Sequence, residues 1–184
     1  MRASVTCATA LLAAMVSAHG NIVNPPARGP GAAMSAACGE ANVQAVTKDP
    51  TIPIENLTSP PATCQASLCR GAKFEDNAAN VQTFKAGQVV QMKVSISIPH
   101  EGHMNVSVVD TASNRVVGQP LIVFDSYADE KLAQLPANNT DFSVTMPNLQ
   151  AGTCAKGGQC VLQWFWAGTT GPQTYVSCVD FVMG

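Results

Sequence analysis

Charge is scarce in this sequence. Only 12% of its 184 residues are Asp, Glu, Lys or Arg, and 12 acidic against 10 basic residues leave a formal net charge of −2. That balance builds no basic surface, so nucleic acid and anionic membrane are excluded as principal partners. Beyond the N-terminus no apolar run approaches the roughly 20 residues of a membrane span, and the mature chain is expected to be soluble. No GxSxG occurs, which removes the nucleophile elbow of a serine hydrolase. No CxxC pair occurs, which argues against a thiolate zinc site. The acidic residues are scattered and no two can be assigned to one cleft, so the carboxylate pair of a glycoside hydrolase is missing too. Histidine is rarer still, at His19, His100 and His103.

The N-terminus carries the longest apolar stretch. Arg2 is followed by Leu11-Leu12-Ala13-Ala14-Met15-Val16 and then by the small residues of Val16-Ser17-Ala18. This is the pattern of a secretory signal peptide, residues 1–18, with cleavage expected after Ala18. The remainder, residues 19–184, suits one domain with one core. Six of the seven cysteines stay in it, and an even count in a secreted chain points to three disulfides. Cys154 and Cys160 flank a short Gly-rich loop that favours a local pair; Cys69 with Cys178 and Cys38 with Cys64 are the expected partners of the rest. Asn56-Leu57-Thr58, Asn105-Val106-Ser107 and Asn138-Asn139-Thr140 are N-glycosylation sequons, in keeping with an extracellular glycoprotein.

Gln88 to Ile98 alternates, with Met92, Val94, Ile96 and Ile98 on one face and Gln91, Lys93, Ser95 and Ser97 on the other, which predicts a half-buried strand. Met104–Val109, Arg115–Phe124, Phe142–Met146, Cys160–Ala167 and Thr174–Val182 repeat similar runs, separated by turn residues. Short strands without long helices between them predict an all-β, immunoglobulin-like antiparallel sandwich. Pro25 to about Asp76 lacks a sustained period and reads as a long, disulfide-tied loop region with a short helix over Ala32–Ala37. Trp164 and Trp166 fall on one strand face and read as core.

Cleavage before His19 exposes a free α-amine. That amine and Nδ1 of the same residue can close a six-membered ring on a metal ion, which no internal histidine can do. His100 and His103 lie at a strand mouth, where the N-terminus could also lie. Two imidazoles and one amine make a T-shaped set of three nitrogens, suited to the tetragonal preference of Cu(II). His100 and His103 are three apart and face opposite ways along a strand, so only one can reach the metal. His100 is the expected ligand, with Gly102 leaving open space beside it.

These residues resemble the copper histidine brace of the lytic polysaccharide monooxygenases. The likeness runs from His19-Gly20 and Pro25-Pro26-Ala27-Arg28 through His100-Glu101-Gly102 to Gln173-Thr174-Tyr175 and Ser177-Cys178-Val179-Asp180-Phe181. Within that group the chain most resembles the fungal auxiliary activity family 16. The resemblance implies one copper, held by His19 through its amine and Nδ1 and by His100, with Tyr175 axial and Gln173 beside its phenol. It implies oxidation at C1 and/or C4 of cellulose or a related β-linked polysaccharide by a secreted monomer, using a small-molecule or protein electron donor and hydrogen peroxide or dioxygen. In one departure from some relatives, the strand Gln163-Trp164-Phe165-Trp166 offers no additional histidine for the site. A secreted copper-binding protein without polysaccharide oxidation is the alternative class.

Overall fold

The computed structural model describes residues 19–169, 171 and 173–184; the expected signal peptide lies outside the described residues. In chain order the elements are β1 (His19–Asn24), α1 (Ala32–Cys38), α2 (Glu40–Lys48), β2 (Gln82–Phe84), β3 (Val89–Ile98), β4 (Gly102–Asp110), β5 (Arg115–Val116), β6 (Ile122–Tyr127), β7 (Asp141–Thr145), β8 (Cys160–Gly168) and β9 (Thr174–Met183). They form two sheets, β1-β3-β7 and β2-β9-β8-β4-β5, with β6 also paired to β4. The sandwich is as the alternation predicts.

Burial explains why the two sheets read so differently in sequence. β3 alternates exposed and buried residues because only one of its faces is covered: Val90, Met92 and Val94 turn inward. They meet Met104, Val106, Leu162, Trp164 and Trp166 of the larger sheet in the main core. β8 and β9 are buried almost throughout. Their outer face is covered by a second apolar cluster, in which Met34, Val46, Ile52, Leu57 and Leu68 pack on Val109, Val161 and Cys178. A strand covered on both faces needs a continuous apolar run, not alternation.

The expected loop region is therefore a packed layer. Its first helix begins where the Asp76 carboxylate accepts the backbone N–H groups of Ala33 and Met34, both at 2.9 Å. That satisfies two of the free N–H groups at a helix start from a residue far along the chain. The second helix was not expected; it has Glu40 in its first turn and Lys48 in its last, as the helix dipole favours. Cys38–Cys64, Cys69–Cys178 and Cys154–Cys160 are all bonded, matching the predicted pairing.

One expectation needs correction, and two features were not anticipated. The predicted strand Arg115–Phe124 is divided into β5 and β6, because Gly118 takes a positive φ of 77° between them. The pairing is not antiparallel throughout: β2 runs parallel to β9, with Gln82 opposite Phe181. His19 also proves to be the first residue of a strand, β1, whose short polar sequence His-Gly-Asn-Ile-Val-Asn carries too little alternation to announce itself.

Candidate metal centre

Strand direction gathers the candidate residues at one edge of the sandwich. β1 runs antiparallel to β3, and His19 lies opposite Ile98, so the start of β1 sits where β3 gives way to Pro99 and His100. β4 starts from the same edge with Gly102 opposite Gly168, and β9 starts there with Thr174 opposite Ala167. His19, His100 and the neighbouring pair Gln173 and Tyr175 thus come from three separate stretches of sequence to a common rim.

The backbone immediately after His100 is tightly held. Glu101 N–H donates to Glu130 Oε2 at 2.6 Å, and the Glu101 carbonyl accepts Thr169 N–H at 2.9 Å and the Thr169 hydroxyl at 3.0 Å. His100 is only 4% exposed, packed where Gly168 and Gly171 leave it space. A Cβ on Gly168 would stand 2.7 Å from His100 Cδ2 and 2.9 Å from Nε2. The expectation that Gly102 supplies this space is wrong: a Cβ there would lie 2.2 Å from the Ala167 carbonyl oxygen, in the pairing of β4 with β8. His103 is exposed on β4, on the opposite face from buried Met104.

Tyr175 is wholly buried, with its ring centroid 4.6 Å from that of Trp166. Its hydroxyl donates to Gln173 Oε1 at 2.9 Å. Burial, together with Glu55, pushes this phenol well above its ordinary range against an opposing pull from Arg70, so it stays protonated. Trp164 and Trp166 lie in the core as expected, their rings tilted to one another with centroids 5.8 Å apart. Gln163 takes no part in this rim; its Oε1 accepts the Cys69 N–H at 3.3 Å, beneath the Cys69–Cys178 disulfide.

Two residues at the rim escaped the sequence reading. Asp49 Oδ2 lies 3.3 Å from His19 Nε2. Burial raises the Asp49 carboxyl, but hydrogen bonds from Thr51 and the nearby His19 and Arg70 outweigh it and hold the group below its usual value. Arg70 is buried, which lowers it to about 10 while Asp49 and Tyr175 hold it up; at neutral pH it remains a cation. It stands in a left-handed run, with φ of 55° at Cys69, 55° at Arg70 and 81° at Gly71. Non-glycine residues persist there only when their surroundings fix them. The signal for Arg70 was its place next to Cys69: once Cys69 is joined to Cys178, residue 70 must lie beside β9 near Tyr175.

Among the described residues no three His, Cys, Asp or Glu side chains cluster as a metal set. A metal at this rim would therefore have to draw on something besides side chains, and the α-amine that the expected cleavage before His19 would expose could be that donor. The residues fit copper on two grounds. Cleavage before His19 would give a donor set of two imidazoles and an amine, and Gly168 and Gly171 leave space beside the His100 ring.

The family profile described as lytic polysaccharide mono-oxygenase, cellulose-degrading, matches residues 19–181. No curated protein matches the sequence. Among solved structures the chain is similar to a chitin binding domain from Burkholderia pseudomallei, at 13% identity and a TM-score of 0.52, covering 91% of this chain and 100% of that one. It is also similar to the catalytic domain of a lytic polysaccharide monooxygenase from Listeria monocytogenes, at 12% identity and a TM-score of 0.49, covering 90% of this chain and 99% of that one. For a lytic polysaccharide monooxygenase from Jonesia denitrificans the identity is 16%, the TM-score 0.47 and the coverage 90% and 100%. The first of these likenesses bears on the fold alone. The profile match, from the start of β1 into β9, covers nearly every described residue, and the chain belongs to the cellulose-degrading lytic polysaccharide mono-oxygenases, whose chemistry is copper-dependent oxidation of polysaccharide.

Proposed function

We propose that the chain is secreted with His19 as its first residue, as a single domain over residues 19–184, and that it oxidises cellulose at one copper. In this reading the His19 amine and Nδ1, the His100 imidazole and Tyr175 would hold the copper. The observation that carries it is the β1–β3 register, which brings His19 opposite Ile98 and so to the edge from which His100 projects. The start of the family match at residue 19 supports the same mature terminus. When bound, copper supplies the redox chemistry that a sugar C–H bond demands and that acids and bases lack.

The chain's own residues orient and protect. Tyr175 keeps its proton and donates it to Gln173, which fixes the amide with Oε1 toward the phenol. Trp166 packs against the tyrosine ring, with centroids 4.6 Å apart. A site at the edge of the sandwich suits an insoluble polymer, which cannot enter a deep pocket. The finer affiliation, to the fungal auxiliary activity family 16, rests on the sequence resemblance, as do the monomeric state, the C1 and/or C4 position and the choice of peroxide or dioxygen.

One pair of samples tests this reading. Mature protein beginning at His19 should bind one copper tightly and release oxidised oligosaccharides from cellulose with ascorbate, seen by mass spectrometry. The same protein with one alanine ahead of His19 should lose tight copper binding. Unchanged affinity in the extended protein would overturn the brace; tight binding with no oxidised product on any β-linked polysaccharide would favour a copper-binding protein of the same fold.

A further inference from the structure

Asp49 and Arg70 have no part in the chemistry above, yet both converge on the first two residues of β1. Asp49 Oδ1 accepts the Thr51 N–H at 2.8 Å and the Thr51 hydroxyl at 2.5 Å. The carboxylate is thereby held with its other oxygen 3.3 Å from His19 Nε2, although the side chain is 40% exposed. Gly20 N–H donates to the Thr51 carbonyl at 3.0 Å. From the other side Arg70 Nη2 donates to the Gly20 carbonyl at 3.3 Å, and Nη1 donates to the Pro50 carbonyl. One short segment, Asp49-Pro50-Thr51, and one buried cation therefore hold both the backbone at Gly20 and the imidazole of His19.

Resting on the copper-brace reading, we propose that Asp49 is a positioning residue for the His19 chelate, and that Arg70 locks the Asp49-Pro50-Thr51 segment against β1. A neutral imidazole that donates from Nε2 carries its lone pair on Nδ1. Nδ1 is the nitrogen that can share a chelate ring with the α-amine of the same residue. A carboxylate on the far nitrogen selects that tautomer, fixes the ring's orientation and raises the basicity of the ligating nitrogen. Arg70 balances the charge of Asp49 and keeps the segment from swinging out with it.

The test begins without metal. Long-range 1H–15N correlation spectra of the copper-free mature protein should show His19 mainly protonated on Nε2. Asp49→Leu removes the acceptor; His19 should become a mixture of tautomers, and Cu(II) affinity should fall about 10- to 100-fold, the usual effect of losing such a partner, with a changed copper hyperfine splitting. Asp49→Asn keeps an acceptor but no charge, so the tautomer should persist while affinity drops by a smaller factor. A folded Asp49→Leu protein with the wild-type tautomer and wild-type affinity overturns the proposal. Should that variant fail to fold, an Asp49→Asn protein with unchanged affinity overturns it instead. The two readings separate cleanly. Wild-type protein that shows the tautomer but takes up no copper defeats the copper site, whereas tight wild-type binding beside an indifferent Asp49→Leu defeats only the role of Asp49.

Discussion

Arg28 and Asp180 form a buried two-pronged ion pair, with Nε 2.7 Å from Oδ2 and Nη2 2.6 Å from Oδ1. It joins the Pro25-Pro26-Ala27-Arg28 segment that leaves β1 to the middle of β9, and Arg28 N–H also donates to the Cys178 carbonyl at 2.8 Å. The two sequence stretches that open and close the family likeness are thus one structural unit. Removing one partner strands a buried charge, so Asp180→Ala is expected to destabilise by about 3–5 kcal/mol. Urea unfolding checks this, and a loss below about 1 kcal/mol would mean that water or another group replaces the carboxylate.

The disulfides should differ in worth. In the loop-entropy picture a bond across 109 residues, Cys69–Cys178, contributes about 4–5 kcal/mol, and one across 6, Cys154–Cys160, about 2 kcal/mol. Paired Cys→Ala variants compared by thermal unfolding should keep that order. The longer bridge also anchors Arg70 and lies three residues from Tyr175, so its loss should weaken copper binding, which loss of the shorter bridge should leave alone.

What the sequence made legible followed from short-range pattern. The alternation of Met92 and Val94 announced β3, and the Gly-rich loop between Cys154 and Cys160 announced a bridge. The candidate rim was legible for a different reason: His19 stands directly behind the expected cleavage site. Asp49 was invisible because nothing local marks an acid whose partner lies 30 residues earlier. Gly102 misled because a glycine beside a histidine looks like space, whereas its missing Cβ accommodates the Ala167 carbonyl of β8; the space came from Gly168 and Gly171, far along the chain. The helix Glu40–Lys48 was missed because its inward residues, Asn42 and Val46, form only a narrow and partly polar stripe.

Removing the Tyr175 hydroxyl separates packing from chemistry. Tyr175→Phe keeps the contact with Trp166 and loses the hydrogen bond to Gln173, a change of about 1 kcal/mol in stability. Copper affinity should stay near wild type, since three nitrogens dominate it, while oxidation of cellulose should fall about 10- to 100-fold, as for other groups that orient a metal's surroundings. A variant with full activity would make Tyr175 a core aromatic and nothing more.

His100 and His103 offer a comparison within three residues. His100→Ala should remove the third nitrogen and essentially all oxidative activity. His103→Ala, at an exposed position of β4 on the other face from Met104, should leave the copper electron paramagnetic resonance spectrum intact. The reverse result would place the metal on the outer face of β4. The register argues against that, because β4 pairs without a break against β8 from Gly102 onward and its one irregularity is toward β6.

The last comparison sets two glycines of the same rim against each other. An alanine at Gly102 would put its Cβ 2.2 Å from the Ala167 carbonyl oxygen, which is backbone in a paired strand and cannot yield without parting β4 from β8. An alanine at Gly168 would instead press on the ring of His100, 2.7 Å from Cδ2, and a ring can turn. Gly102→Ala is therefore expected to lower stability by about 1–3 kcal/mol or more, the range for overpacking a filled site, and to affect copper only through unfolding. Gly168→Ala should leave the melting temperature within a few degrees of wild type yet shift the copper hyperfine splitting and weaken binding, because the imidazole has been rotated from its ligating direction. Thermal unfolding and copper titration on the two variants decide it. If Gly168→Ala binds copper with the wild-type spectrum, the cradle is not what orients His100, and the Glu101 hydrogen bonds to Glu130 and Thr169 must do so alone.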